Sequence, residues 1–248
     1  LDLRSLTLTS ARLVDSERTG GTYCYVKGIL SPAIGFHTQL PLPEQWNGRY
    51  LTWGDGGKDG DLDFADARVT EGYAVANSNT GHDNGVEPGS SFGWNNRQAE
   101  IDFGYRAVHL TTAAGKVLTR AYYGMDPEYS YFEGCSTGGR QGLMEAQRYP
   151  DDFDGIVAGA PVNYYQALNA SRMWLMQQVY ANDLEASLTV DTTGDGQPDS
   201  DRKLVILAEQ VMAACDAVDG VTDGVIADPT QCDFTPARNL ASMMCLDD

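Results

Sequence analysis

Residues 131–150 read YFEGCSTGGRQGLMEAQRYP. At their centre, Gly134-Cys135-Ser136-Thr137-Gly138 forms G-x-S-x-G. A serine hydroxyl is a poor nucleophile at neutral pH, so it needs a base within hydrogen-bond reach and a place for the oxyanion. A sharp strand–turn–helix meets part of that need: it lifts the Oγ clear of the sheet, and the flanking glycines let neighbouring backbone pass close. The flanks fit. YSYF, ahead of the motif, has the aromatic content of a strand, and GRQGLMEAQ, after it, reads as a helix. Ser136 is therefore the candidate nucleophile. The Thr137 N–H, at the start of that helix, is the first oxyanion donor.

A second donor should come from a glycine-rich loop after an earlier strand. GRYLTW is a short apolar run that leads into GDGGKDG, so the stretch Gly54–Gly57 is the candidate and Gly56 or Gly57 the specific donor. Further strands are expected in GTYCYVKGIL, EGYAVANSNTG and FDGIVAGAP. Apolar residues at helical spacing fill RQAEIDFGYRAVHLTTAAGKVLTRAYY. Strands separated by helices predict a parallel sheet with helices on its faces, an α/β fold. After about residue 170 the pattern changes to the helical stretches SRMWLMQQVY and DRKLVILAEQVMAACDAV, with Asp- and Gly-rich loops between them. This predicts a second or inserted domain.

The base is harder to find. The chain has three histidines, His37, His82 and His109, and all precede Ser136. In an elbow of this kind the triad normally runs Ser, then Asp or Glu, then His along the chain. His109 falls on a helix, and His37 in a strand or loop. His82 ends a strand and could reach the active edge as an unconventional base.

The 248 residues carry 35 Asp and Glu against 17 Lys and Arg, a net charge of −18. That field repels a phosphate backbone and argues against nucleic acid as a partner. No run approaches the ~18 apolar residues of a membrane-spanning helix, so no membrane is expected. Two Asp clusters could hold a cation. In CDAVDGVTDGVIADP, Asp216 precedes an alternation of Asp219 carboxylate, Val221 carbonyl, Asp223 carboxylate and Val225 carbonyl. This is a hard-oxygen set on a turning glycine loop that suits Ca2+. In DTTGDGQPDSD, Asp191, Asp195, Asp199 and Asp201 surround Gly196, but Arg202 stands where the bidentate carboxylate of a calcium loop belongs. The cysteines, Cys24, Cys135, Cys215, Cys232 and Cys245, show no zinc-type spacing.

The stretch YFEGCSTGGRQGLMEAQRYPDDFDGIVAGAP closely resembles the tannase and feruloyl esterase family, which also includes the hydrolase of mono-hydroxyethyl terephthalate. The match extends to WNGRYLTWGDGG, GYAVANSNTGH, IDFGYRAVHLTT and CDAVDGVTDGVIADP. The resemblance implies a secreted or periplasmic α/β-hydrolase with an inserted lid. Residues 1–170 would be the N-terminal part of the catalytic domain, and 171–248 the beginning of a calcium-binding lid. It implies that Ser136 is the nucleophile of a serine ester hydrolase acting through an acyl-enzyme on feruloyl, galloyl or terephthaloyl esters. It likewise implies a structural calcium at Asp216, Asp219, Val221, Asp223 and Val225, and a disulfide between Cys215 and Cys232. Cys135 would pair with a cysteine beside the catalytic histidine. The triad Asp and His are expected beyond Asp248, on a further segment or on a second chain linked through Cys135. The alternative expectation is a non-catalytic, calcium-stabilised binding fragment without those two residues.

Overall fold

Seven strands form one sheet in the order β1-β2-β3-β5-β4-β6-β7. The computed structural model describes residues 5–179 and 202–235. The first three strands, β1 (Leu6–Ser16), β2 (Gly21–Leu30) and β3 (Ile34–Pro41), run antiparallel as a meander. β3 joins β5 (Ala74–Ser78) antiparallel. From there β5, β4 (Arg49–Trp53), β6 (Tyr129–Cys135) and β7 (Gly155–Gly159) are parallel neighbours. The sheet is therefore mixed, not parallel throughout as the strand–helix alternation predicts. The short links β1–β2 and β2–β3 have no room for a crossover helix, and tight links leave only antiparallel pairing.

The parallel half is built by crossovers. Helix α1 (Asp66–Thr70) lies between β4 and β5 in sequence, α3 (Ala107–Tyr123) between β5 and β6, and α4 (Thr137–Arg148) between β6 and β7. Ahead of α3, helix α2 (Arg97–Ile101) runs into a π-helical segment, Asp102–Arg106. Side chains alternate across the sheet with the strand period of two. On β4, Tyr50 enters one core with Leu40, Ala74 and Ala76, packed by Leu118 and Tyr122 of α3. Leu51 enters the other, with Val75, Ala65 and Val69. Helix α3 can lie this close because Gly115 faces Tyr50: a Cβ there would stand 2.2 Å from its hydroxyl.

β4 is the point where the strand order reverses. The chain leaves it for β5 on one side and reaches β6 on the other. In such sheets a crevice opens beyond the carboxyl ends of the strands at the reversal. The loop after β4 and the turn after β6 both lie at that end. The described residues form two compact units, divided between Asn163 and Tyr164. The second contains α5 (Tyr165–Val179), α6 (Arg202–Cys215) and the Asp-rich loop that follows.

Candidate active site

Ser136 stands between β6 and α4 with φ 59° and ψ −115°, a conformation that costs a non-glycine residue on the order of 1–3 kcal/mol. The surroundings hold it there. Its N–H donates to the Gly159 carbonyl at 2.9 Å, and its carbonyl accepts from Arg140 N–H at 3.0 Å. Gly134 and Gly138 touch backbone to backbone: a Cβ on Gly134 would lie 2.7 Å from the Gly138 carbonyl carbon. A Cβ on Gly139 would lie 2.3 Å from the Gly159 oxygen. The elbow thus needs glycine on both sides for contact, and Ser136 itself is exposed.

The loop after β4 is clamped onto this elbow. Gly54 N–H donates to the Glu133 carbonyl at 2.8 Å, and the Thr137 hydroxyl donates to the Gly57 carbonyl at 2.6 Å. Gln141 spans the loop from below: its Oε1 accepts from Asp55 N–H at 3.2 Å and its Nε2 donates to Asp59 Oδ2 at 3.0 Å. Gly54 and Asp55 N–H are therefore engaged, whereas Gly56 and Gly57 N–H make no hydrogen bond among the described residues. Both of these glycines are exposed, and Gly57 has φ 62°. Arg140, one residue before Gln141, grips the π-helical segment by donating to the Gly104 and Phe103 carbonyls at 3.0 Å each. A π-helical turn offers carbonyls displaced from the ordinary α-helical ladder, and Arg140 uses two of them.

Sequence reasoning missed Gln141 and Arg140. Within GGRQG they look like the polar face of a surface helix. Only the docking of α4 against the β4 loop buries Gln141. The same fold buries Asp55 and Asp59. Burial, and then the neighbouring Asp59 charge, push the Asp55 carboxyl well above the usual range. Burial is also the main cause that raises Asp59, to about 7, opposed by the Arg140 guanidinium. Asn77 donates to Asp55 Oδ1 at 2.5 Å and to the Trp53 carbonyl at 3.1 Å, tying this acidic floor to the strand ends.

Each of the three histidines is engaged elsewhere. Buried His37 meets the Tyr25 hydroxyl at 3.1 Å and the Asp63 carbonyl at 2.9 Å, and burial lowers its pKa to about 4. His82 is stacked on Phe92 at 3.9 Å with its Nδ1 3.5 Å from the Thr80 hydroxyl, and burial lowers its pKa too. His109 pairs with Asp152 at 2.6 Å. Among the described residues, no histidine bonds Ser136. Cys135, next to it, is an exposed free thiol, and Cys24 is free and half-buried. Cys245 lies outside the described residues.

Residues 18–248 match the family model described as tannase and feruloyl esterase. The chain belongs to the tannase and feruloyl esterase family. It is 37% identical over 213 residues to a probable feruloyl esterase B-2 of Aspergillus flavus, an overlap of 85% of this chain and 38% of that protein. It is 32% identical over 256 residues to the mono(2-hydroxyethyl) terephthalate hydrolase of Piscinibacter sakaiensis, covering 95% of this chain and 42% of that one. The solved structure of feruloyl esterase B from Aspergillus oryzae superposes with a TM-score of 0.74 at 28% identity, covering 99% of this chain and 51% of that chain. The fold of this family member is thus of the α/β-hydrolase type. The chain spans about two-fifths of the length of the curated relatives named here.

In the second unit, Cys215 and Cys232 are joined by a disulfide, the pairing expected from the resemblance. Between them Asp216 organises the loop: its Oδ1 accepts from Asp223 N–H at 3.2 Å and Gly224 N–H at 3.0 Å. Asp219 and Asp223 each accept from the N–H two residues on, Val221 at 2.9 Å and Val225 at 3.0 Å. Gly220 and Gly224 turn the chain at φ 94° and 80°. The loop thus carries three carboxylates and the carbonyls of Val221 and Val225, all oxygen donors of the kind Ca2+ takes, but among the described residues Asp216, Asp219 and Asp223 do not bring three ligand atoms within 4.8 Å of one another. The second calcium candidate, Asp191, Asp195, Asp199 and Asp201, lies outside the described residues.

Proposed function

We propose that this chain supplies the nucleophile and oxyanion face of a serine carboxylic-ester hydrolase acting on esters of aromatic acids. The observation that carries the reading is the exposed Ser136, held in a strained turn directly against the glycine loop after β4. In this mechanism Ser136 Oγ attacks the ester carbonyl while a histidine takes its proton. The oxyanion is met by Thr137 N–H and by Gly56 or Gly57 N–H. Collapse expels the alcohol, which receives the proton from the histidine. Water then attacks the acyl-enzyme, releases the aromatic acid and restores Ser136. The histidine and its orienting aspartate come from sequence beyond Asp248, or from a second chain tethered through Cys135. The engagement of His37, His82 and His109 elsewhere supports this. The names of the relatives favour feruloyl, galloyl or terephthaloyl as the acyl group.

A structural Ca2+ held by Asp216, Asp219, Val221, Asp223 and Val225 would brace the second unit and take no part in the chemistry. The Cys215–Cys232 disulfide favours an oxidising compartment, hence a secreted or periplasmic protein. No helix among the described residues is long and apolar enough to cross a membrane. A second reading, a calcium-stabilised binding unit without catalysis, is favoured by one observation: among the described residues no histidine is bonded to Ser136.

A fluorophosphonate probe separates the two readings by intact mass. Protein carrying this chain together with the downstream sequence should gain one adduct, lost in Ser136→Ala. Absence of the adduct in such a protein rejects the esterase reading and leaves the binding one.

A further inference from the structure

A second cluster of chemically active side chains sits away from the elbow, at the other end of α4. His109 of α3, Glu145 of α4 and Asp152 of the α4–β7 connection offer ligand atoms that all lie within 4.8 Å of one another. Nine residues of helix separate Glu145 from Ser136, roughly 13 Å along the axis, so the cluster is no part of the proposed ester chemistry.

Glu145 is fully buried, and among the described residues neither of its carboxylate oxygens has a hydrogen-bond partner. An isolated buried carboxylate is among the costliest groups a fold can hold. The groups around it do little to offset that. The Asp152 carboxylate adds a second negative charge, and its Oδ2 meets His109 Nδ1 at 2.6 Å. The Lys116 ammonium donates to the Asp152 backbone carbonyl and faces the Asp152 and Asp154 carboxylates, with no hydrogen bond to Glu145 among the described residues. The Tyr149 ring lies flat on His109, with centroids 3.9 Å apart and planes 9° off parallel, and fixes the plane of the imidazole. His109 and Asp152 keep 32% and 20% of their side chains exposed, which leaves a path from solvent to the buried carboxylate.

We propose that His109, Glu145 and Asp152 form a divalent transition-metal site of the zinc class. One neutral imidazole and two carboxylates carry a charge of −2, which a divalent ion cancels. A mixed nitrogen and oxygen set of three is characteristic of Zn2+ with water in the remaining position, rather than of Ca2+, which takes oxygen alone. Binding takes the lone pair of His109 Nδ1, the imidazole keeping its one N–H on Nε2, and the proton that burial holds on the Glu145 carboxyl passes to solvent. His109 Nδ1 and Asp152 Oδ2 then separate to about 3.3 Å, the spacing of neighbouring ligands around zinc at ~2.0–2.2 Å. The ion would staple α3, α4 and the α4–β7 connection together, at the end of α4 away from the elbow.

The test is a zinc titration of the 248-residue chain, dialysed against chelator and then returned to excess Ca2+ to fill the Asp216 loop. Cys24, Cys135 and Cys245 are alkylated so that thiols cannot compete. The expected result is one zinc equivalent, with Co2+ giving visible d–d bands at the same stoichiometry. Glu145→Gln keeps the shape and removes the buried charge, so it should fold, and it should weaken zinc binding at least ~30-fold. His109→Asn should do the same and abolish the Co2+ bands. No zinc bound by the wild-type chain, with Glu145 then neutral by protonation alone, overturns the proposal. Zinc bound equally well by both variants overturns it too.

Discussion

The elbow around Ser136 and the loop around Asp216 are both short, glycine-rich turns, yet they are held by different physics. The elbow is over-determined from outside. Gly134, Gly138 and Gly139 touch the backbone of other elements, and the loop after β4 is fastened by Thr137 and Gln141. The Asp216 loop holds itself. Its hydrogen bonds run between its own carboxylates and its own amides, its residues are largely exposed, and one disulfide closes it. A strained serine turn needs a rigid frame assembled from distant parts of the chain. A loop that bonds its own amides needs only its local sequence.

The largest effect should come from one methyl group at the elbow. Gly139→Ala drives a Cβ to 2.3 Å from the Gly159 carbonyl, backbone against backbone, and should cost more than ~3 kcal/mol or prevent folding of the first unit. Denaturant unfolding checks this. The same change in the other region, Gly220→Ala, meets no atom within 4 Å and pays only for φ 94°, about 1 kcal/mol. Equal losses at the two positions would break the comparison.

Cys215→Ser with Cys232→Ser should destabilise the second unit by about 3 kcal/mol, and chelator should lower its melting temperature further. Limited proteolysis should show cleavage confined to the second unit. Cleavage shared by both units would mean that the loop is not self-contained.

Another effect is pH-dependent and belongs to the elbow side. In the folded chain Asp59 keeps its proton up to about 7, whereas an unfolded aspartate releases it near pH ~4. The folded state therefore binds the extra proton, and this contribution is complete below pH ~4 and lost as pH rises to about 7. That rise corresponds to an effect on the order of 4 kcal/mol at most. Asp59→Asn should flatten that slope, because Asn tolerates the φ of 58° and still accepts from Gln141. Melting curves between pH 4.5 and 7.5 decide it, and an unchanged slope would place the titration elsewhere. The smallest effect in the series is that of Gly220→Ala.

Much of the molecule was legible in the residues. The strands around Tyr25, Leu51, Val75 and Phe132, and the helix after Ser136, follow from apolar runs, aromatic content and glycine placement. β1 was not. Its residues are mostly exposed, so no buried face imprints a pattern, and pairing with β2 is what makes it a strand. In β3, His37, Thr38 and Gln39 are buried, where composition would put polar residues at the surface. Their position depends on partners far along the chain: Gln39 accepts from Ala65 N–H and donates to Asp66.

By itself, then, the amino-acid order determined what acts over a few residues: the G-x-S-x-G turn between a strand and a helix, the alternating oxygen donors after Asp216, and the family to which the chain belongs. Only the tertiary structure decided what lies across the sheet from what. It put Gln141 beneath the β4 loop, closed off His37, His82 and His109 from Ser136, and left Glu145 without a partner beside His109 and Asp152. The physical reason is range. Backbone preference and side-chain periodicity act over a few residues and leave their trace in local sequence. Burial and the pairing of polar groups act between segments that meet only once the strand order is set.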